Sequence, residues 1–154
     1  TVGSGTYTPQ DVTAAQDTTT TYTDISGSVI AYTPPSGTTS VLYKFIFGMG
    51  YVDSQAICHF KFFIDSDEVT DGRRSYGAAT QIGINYYYEW LVRIGDGTDT
   101  ASGRVPTWSS SKTLKMQVRS YGTPQDAKLH GTTYWDGGGG AHVLVPTLNI
   151  TALG

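Results

Sequence analysis

Few residues in this chain have types and spacing that suit chemistry. Four carboxylates, Asp65, Asp67, Glu68 and Asp71, crowd into DSDEVTDG, a density that invites a cation. The helical-hand calcium loop needs a later Glu and flanking helices, which this stretch lacks, so it reads as a polar hairpin turn. Asp96 and Asp99 in GDGTDT read the same way. A glycosidic acid/base pair would have to come from Glu89, Asp96 or Asp136, and no spacing singles out two of them. Cys58 and His59 are sequence neighbours. On a strand they point to opposite faces, so they cannot act as nucleophile and base, and Cys58 reads as a small buried apolar residue. His59, His130 and His142 lack metal-ligand spacing, and no Gly-x-Ser-x-Gly elbow is present. The expectation is a protein with no catalytic residues, no metal and no cofactor.

Two aromatic clusters suit recognition better than catalysis. NYYYEW exposes Tyr87 if Tyr86 and Tyr88 face a core, and it also carries Trp90. YWDGGGG carries Tyr134 and Trp135 ahead of four glycines. Amphipathic aromatics suit protein or sugar contacts. The glycines lack the Lys-Ser/Thr of a phosphate loop and precede no helix, so they read as a loop between strands. Asn149 in NIT matches a glycosylation acceptor, which reads as chance.

The elements that must hold these residues are strands. VLYKFIFGM sets Val41, Tyr43, Phe45, Phe47 and Met49 on one face. ICHFKFFI does the same for Cys58, Phe60, Phe62 and Ile64, with His59 and Lys61 opposite. NYYYEWLVRIG places Tyr86, Tyr88, Trp90, Val92 and Ile94 together, and TLKMQVRS places Leu114, Met116 and Val118 inward. This two-residue period in β-branched and aromatic residues marks half-buried strands. AKLHGTTYW reads as one further strand, and HVLVPTLNITAL as the last, interrupted by Pro146. No stretch keeps a helical period. About eight to ten strands at intervals of about 8–12 residues predict an all-β antiparallel sandwich or barrel. Residues 1–20 are polar and Gly/Thr-rich, and they read as an extended N-terminal arm, free or laid on a neighbour, ahead of one domain over 21–154.

Composition narrows the partners. Charged residues are only 15% of the 154, and the net charge is −3, so nucleic-acid binding is disfavoured. The longest apolar run, around Phe62–Ile64, is far too short to span a bilayer as a helix, and no polybasic run suggests a membrane surface. TVGSGTYTPQ shows no basic region followed by an apolar core. One cysteine excludes an internal disulfide, which fits synthesis in a reducing cytoplasm.

The stretch TTTTYTDISGSVIAYTPPSGTTSVLYKFIFGMGYVDSQAICHFKFFIDSDEV resembles the opening of small jelly-roll modules in structural proteins of tailed bacteriophages. The ending YWDGGGGAHVLVPTLNITALG is similar to theirs too, so the likeness spans about residues 17 to 154. Tyr43, Phe45, Phe47, Phe60, Phe62, Leu148 and Ile150 match strand positions of that pattern. The resemblance implies a jelly-roll sandwich and a virion protein on the capsid surface, made in the host cytoplasm. It implies a capsid decoration, cement or head-fibre protein that forms a homotrimer and binds the major capsid protein. It carries over no catalytic residue. The arm, through Tyr7, Pro9 and Val12, is then the natural capsid anchor, and Tyr87, Trp90, Tyr134 and Trp135 are candidate interface or receptor contacts. The alternative is a tail-fibre or tail-tip knob that binds a host glycan or receptor.

Overall fold

The structure is a computed structural model that describes residues 4–9 and 11–154. Its centre is β5 (Ser40–Tyr51), in which Val41, Tyr43, Phe45, Phe47 and Met49 are all buried. One edge of β5 pairs β8 (Ile84–Arg93). The other edge takes two strands end to end: β13 (Thr147–Leu153) against Ser40–Ile46, and β10 (Ala127–Leu129) against Met49–Tyr51. Beyond them lie β1 (Ser4–Pro9) on β13 and β2 (Gln16–Asp17) on β10. The second sheet runs β7 (Asp67–Ala78), β6 (Ala56–Ile64), β9 (Lys112–Ser120). The free edge of β9 takes β3 (Thr23–Asp24) and β4 (Ile30–Tyr32). All pairings between these strands are antiparallel, and each sheet is effectively four strands wide. This is the expected all-β jelly-roll sandwich. A separate ribbon of β11 (Gly131–Tyr134) and β12 (Gly140–Val143) completes it.

The inner faces meet through aromatic rings. Tyr43 lies 4.9 Å from Phe62, and Phe47 lies 5.6 Å from Phe60, between ring centroids. Each fully buried ring of this size contributes about 1.5–3 kcal/mol by burial, so the aromatic period read in the sequence drives the sandwich shut. The two tyrosines buried among these rings satisfy their hydroxyls: Tyr43 Oη donates to the Ser28 carbonyl at 2.7 Å and Tyr88 Oη to that of Gly72 at 3.0 Å. Burial pushes the Tyr43 phenol well above its ordinary value, and the neighbouring Tyr88 adds to the rise.

The structure differs from the sequence reading in three places. Ser4–Pro9 and Gln16–Asp17, within the stretch read as an arm, lie on this chain's own sheet, where β1 and β2 pair edges that would otherwise present open backbone groups. The AKLHGTTYW stretch is two strands, because His130 takes a left-handed φ of 58° and breaks the ladder between β10 and β11. The stretch read as a polar hairpin turn, DSDEVTDG, turns only at Asp65 and Ser66 and continues from Asp67 as β7, whereas the interruption expected at Pro146 is present, at residues 144–146.

His130 is the one costly residue of this break. Its ring is fully buried beside Phe45, and among the described residues neither ring nitrogen has a side-chain or backbone partner by distance and angle. Its backbone ties the ribbon down: His130 N–H donates to Gly48 at 2.8 Å, and Leu144 N–H donates to the His130 carbonyl at 2.9 Å. Burial lowers the imidazole to about 4, opposed only by the nearby Ser26 backbone. The unfolded chain therefore takes up a proton as pH falls through about 6.5, whereas the fold resists until about 4. Stability is full above the first value and is lost between the two. Urea unfolding at about pH 7 and pH 5 should show this residue removing about 2 kcal/mol. In His130→Asn, which keeps a residue tolerant of left-handed backbone, that part of the pH dependence should vanish; an unchanged pH slope would refute the assignment.

Candidate functional site

Alternation sends the odd residues of β8 outward. Tyr87 pairs Ile46 across the sheet and is 60% exposed. The next outward position on β5 is Gly48, and a Cβ there would sit 2.4 Å from Leu144 Cδ1. Leu144 thus lies flat on the outer face of the sheet, and glycine is what lets it approach. It also abuts Gly83, whose N–H donates to Thr132 Oγ1 at 2.9 Å. These contacts clip the β11–β12 ribbon to the segment just before β8. One pole of the sandwich therefore gathers Ile82, Ile84, Tyr87, Tyr134, Trp135 and Val145, all large apolar side chains left exposed.

The ribbon tip is more ordered than a slack loop. Gly137 and Gly138 take positive φ, of 78° and 148°, which turns the chain. A Cβ on Gly139 would meet Trp135 Cζ3 at 2.6 Å, so the indole ring lies against bare backbone. Trp135 is nevertheless 63% exposed, and Tyr134 packs by its ring on His142 at 5.9 Å.

The other predicted contact residues go elsewhere. Trp90 lies on the core side of β8, half-buried, with Nε1 donating to Ser102 at 3.0 Å. Tyr7 and Pro9 fall in β1, in register with Asn149 and Thr147, and their side chains lie outside the described residues. Val12 is half-buried in the segment between β1 and β2.

The residues with catalytic potential are dispersed or already engaged. Burial raises the Cys58 thiol to about 11, and its sulfur lies 4.0 Å from Thr18 Oγ1. His59 points away from it and bonds Ser75 at 2.9 Å. Asp65 accepts from Thr113 N–H at 2.8 Å, and Glu68 pairs both Arg73 and Lys61, which hold its carboxyl below the usual range. Among the described residues no three His, Cys, Asp or Glu side chains converge as a metal site.

A second concave region lies at the opposite end of β8. Between Phe60 and Phe62 the β6–β7 register shifts, and β7 bulges around Gly72. A Cβ on Gly72 would sit 2.6 Å from Tyr88 Oη, so glycine here admits the tyrosine. The bulge catches the loop after β8 through Asp71 N–H to Ala101 at 3.1 Å. Together they wall a cleft of about 500 Å³ lined by Arg74, Arg93 and Arg104 with Trp90, Leu91 and Asp99. Sequence reasoning missed these arginines as a group, because no sequence signal says which cations find a carboxylate.

No family model matches the chain, and no curated protein matches it. Among solved structures it is similar to a chain in the structure of infectious bursal disease virus, Gx strain, at 9% identity and TM-score 0.52. That match covers 98% of this chain, which spans about a third (33%) of the viral one. A chain from the Gt strain structure gives TM-score 0.40 at 11% identity over 92% of this chain and 33% of its own length. The first likeness agrees with the β-sandwich fold.

Gly48→Val should push Leu144 off the sheet and cost about 1–3 kcal/mol in denaturant unfolding. Trp135→Ala, at an exposed tip, should change stability by no more than about 0.5 kcal/mol. Equal costs in the two variants would contradict the packing described.

Proposed function

We propose that this chain is a virion structural protein: a capsid decoration or head-fibre module that acts as a homotrimer on the capsid surface and catalyses nothing. One observation carries this reading. The pole around the β11–β12 ribbon concentrates exposed apolar side chains from two segments held together by Leu144 and Gly83. A lone molecule gains nothing by wetting such a patch, and patches of this kind mark protein contacts. A cyclic assembly reuses one patch on every subunit, and an anchoring segment adds area without a second core. The sandwich shared with a chain of a virus structure supports the same reading, as does the sequence resemblance to phage jelly-roll modules. The N-terminal segment with Tyr7, Pro9 and Val12, along the outer edge of the first sheet, is the proposed contact with the major capsid protein.

A second reading, a receptor- or glycan-binding knob, is favoured by one feature: Tyr134 and Trp135 are presented on a ribbon whose indole is braced by Gly139. Cell adsorption lost in Trp135→Ala, with oligomeric mass intact, would select this reading over decoration.

Light scattering coupled to size exclusion should give about three times the 16.6 kDa chain mass. Tyr87→Asp with Val145→Asp should reduce it to the single-chain value. A wild-type monomer at micromolar concentration would overturn the trimer.

A further inference from the structure

The cationic side chains of this protein fall into two groups. Among the described residues every lysine, and Arg73, has a carboxylate within ion-pair distance. Arg74, Arg93, Arg104 and Arg119 have none, and they are not scattered. Arg74, Arg93 and Arg104 line the 500 Å³ cleft beside the β7 bulge. Arg74 also lines a second depression, of about 370 Å³, on the outer face of the other sheet, with Arg119, His59 and Tyr22. Arg74 is the shared wall, its guanidinium 5.7 Å from the Trp90 ring centroid and held by the Asp71 and Arg73 carbonyls. Arg119 lies over Tyr22 at 5.4 Å, and its enclosed Nε has no acceptor among the described residues.

Two carboxylates share the cleft lining with the three arginines: Glu89 pairs Lys44 at 2.8 Å, and Asp99 accepts from Ser102 Oγ at 2.8 Å, which, with the nearby Arg104 charge, holds it below its ordinary range, so the lining keeps an excess of positive charge. Guanidinium is a permanent charge whose donors match planar oxyanions in pairs. A buried donor without an acceptor is costly, and a ligand oxyanion supplies one. The band therefore offers several forks to separate oxyanions along a path over the β7–β8 edge.

We propose that this arginine band binds an anionic saccharide through its carboxylate, sulfate or phosphate groups. The chain's net charge of −3 disfavours nucleic acid, which carries a charge about every 1.7 Å and is held by a broad positive field. A saccharide spaces its charges and leaves neutral ring surface for Leu42, Leu91 and Trp90, which line the same cleft. Arg93 lies six residues from Tyr87 on β8, roughly 20 Å along the strand. The band is thus separate from the apolar pole, and the inference stands whether or not the chain trimerises.

Calorimetric titration tests it with a sulfated oligosaccharide, a uronic-acid oligosaccharide, a neutral oligosaccharide, inorganic phosphate and single-stranded DNA, at low and high salt. Binding of an acidic oligosaccharide, weakened by salt and absent for the neutral one, is expected. Phosphate alone should bind more weakly than the oligosaccharide. Arg93→Gln with Arg104→Gln should lose about tenfold or more in affinity, with the melting curve unchanged. Lys112→Gln with Lys128→Gln removes the same charge elsewhere and should lose little. No acidic oligosaccharide binding, an equal loss in both pairs, or tighter binding of DNA would overturn the proposal. Oligomeric mass measured on the same samples keeps this result distinct from the assembly reading.

Discussion

The structure depends on one meeting: the inward rings of β5 against those of β6. Tyr43, Phe45 and Phe47 face Phe60 and Phe62, and Tyr88 comes in from the edge to touch Tyr43 and Phe62. Such rings remove large apolar area and prefer tilted or edge-on contacts, which this core shows repeatedly. With no disulfide available, this burial has to hold the two sheets together. Every other element is placed relative to it. β13 and β10 share the remaining edge of β5, and β9 carries the short strands of the second sheet.

That core was legible in the sequence because a strand has a period of two and each ring had to choose a side. VLYKFIFGM, ICHFKFFI and TLKMQVRS show it, and every inward residue predicted there is buried. What was not legible is where pairing or backbone angle depends on distant residues. His130 breaks a stretch whose composition still looks like one strand, since nothing local signals a left-handed histidine. The first twenty residues read as an arm, free or laid on a neighbour, until β13 is seen to present an edge beside Ser4–Pro9.

The candidate sites divide the same way. Tyr87 could be read as outward from alternation alone. Trp90 could be read as inward on the same basis, and the structure fastens it to Ser102. The tip glycines looked like slack because the Trp135 ring that rests on Gly139 is a contact between residues four apart in a turn. The arginine band was invisible because it is defined by a lack: among the described residues five lysines and Arg73 have carboxylate partners, four arginines do not, and pairing is a property of the fold.

β1 and β13 run antiparallel, with Ser4 in register with Ala152, at the end of the sheet where Ser40 meets Arg93. The two ends of the described chain therefore leave side by side from the pole farthest from the Trp135 ribbon. Polypeptide joined to either end would be carried off behind the module, like a stem, and the ribbon would point forward unobstructed. An inserted copy in a host scaffold would need only a narrow two-stranded doorway.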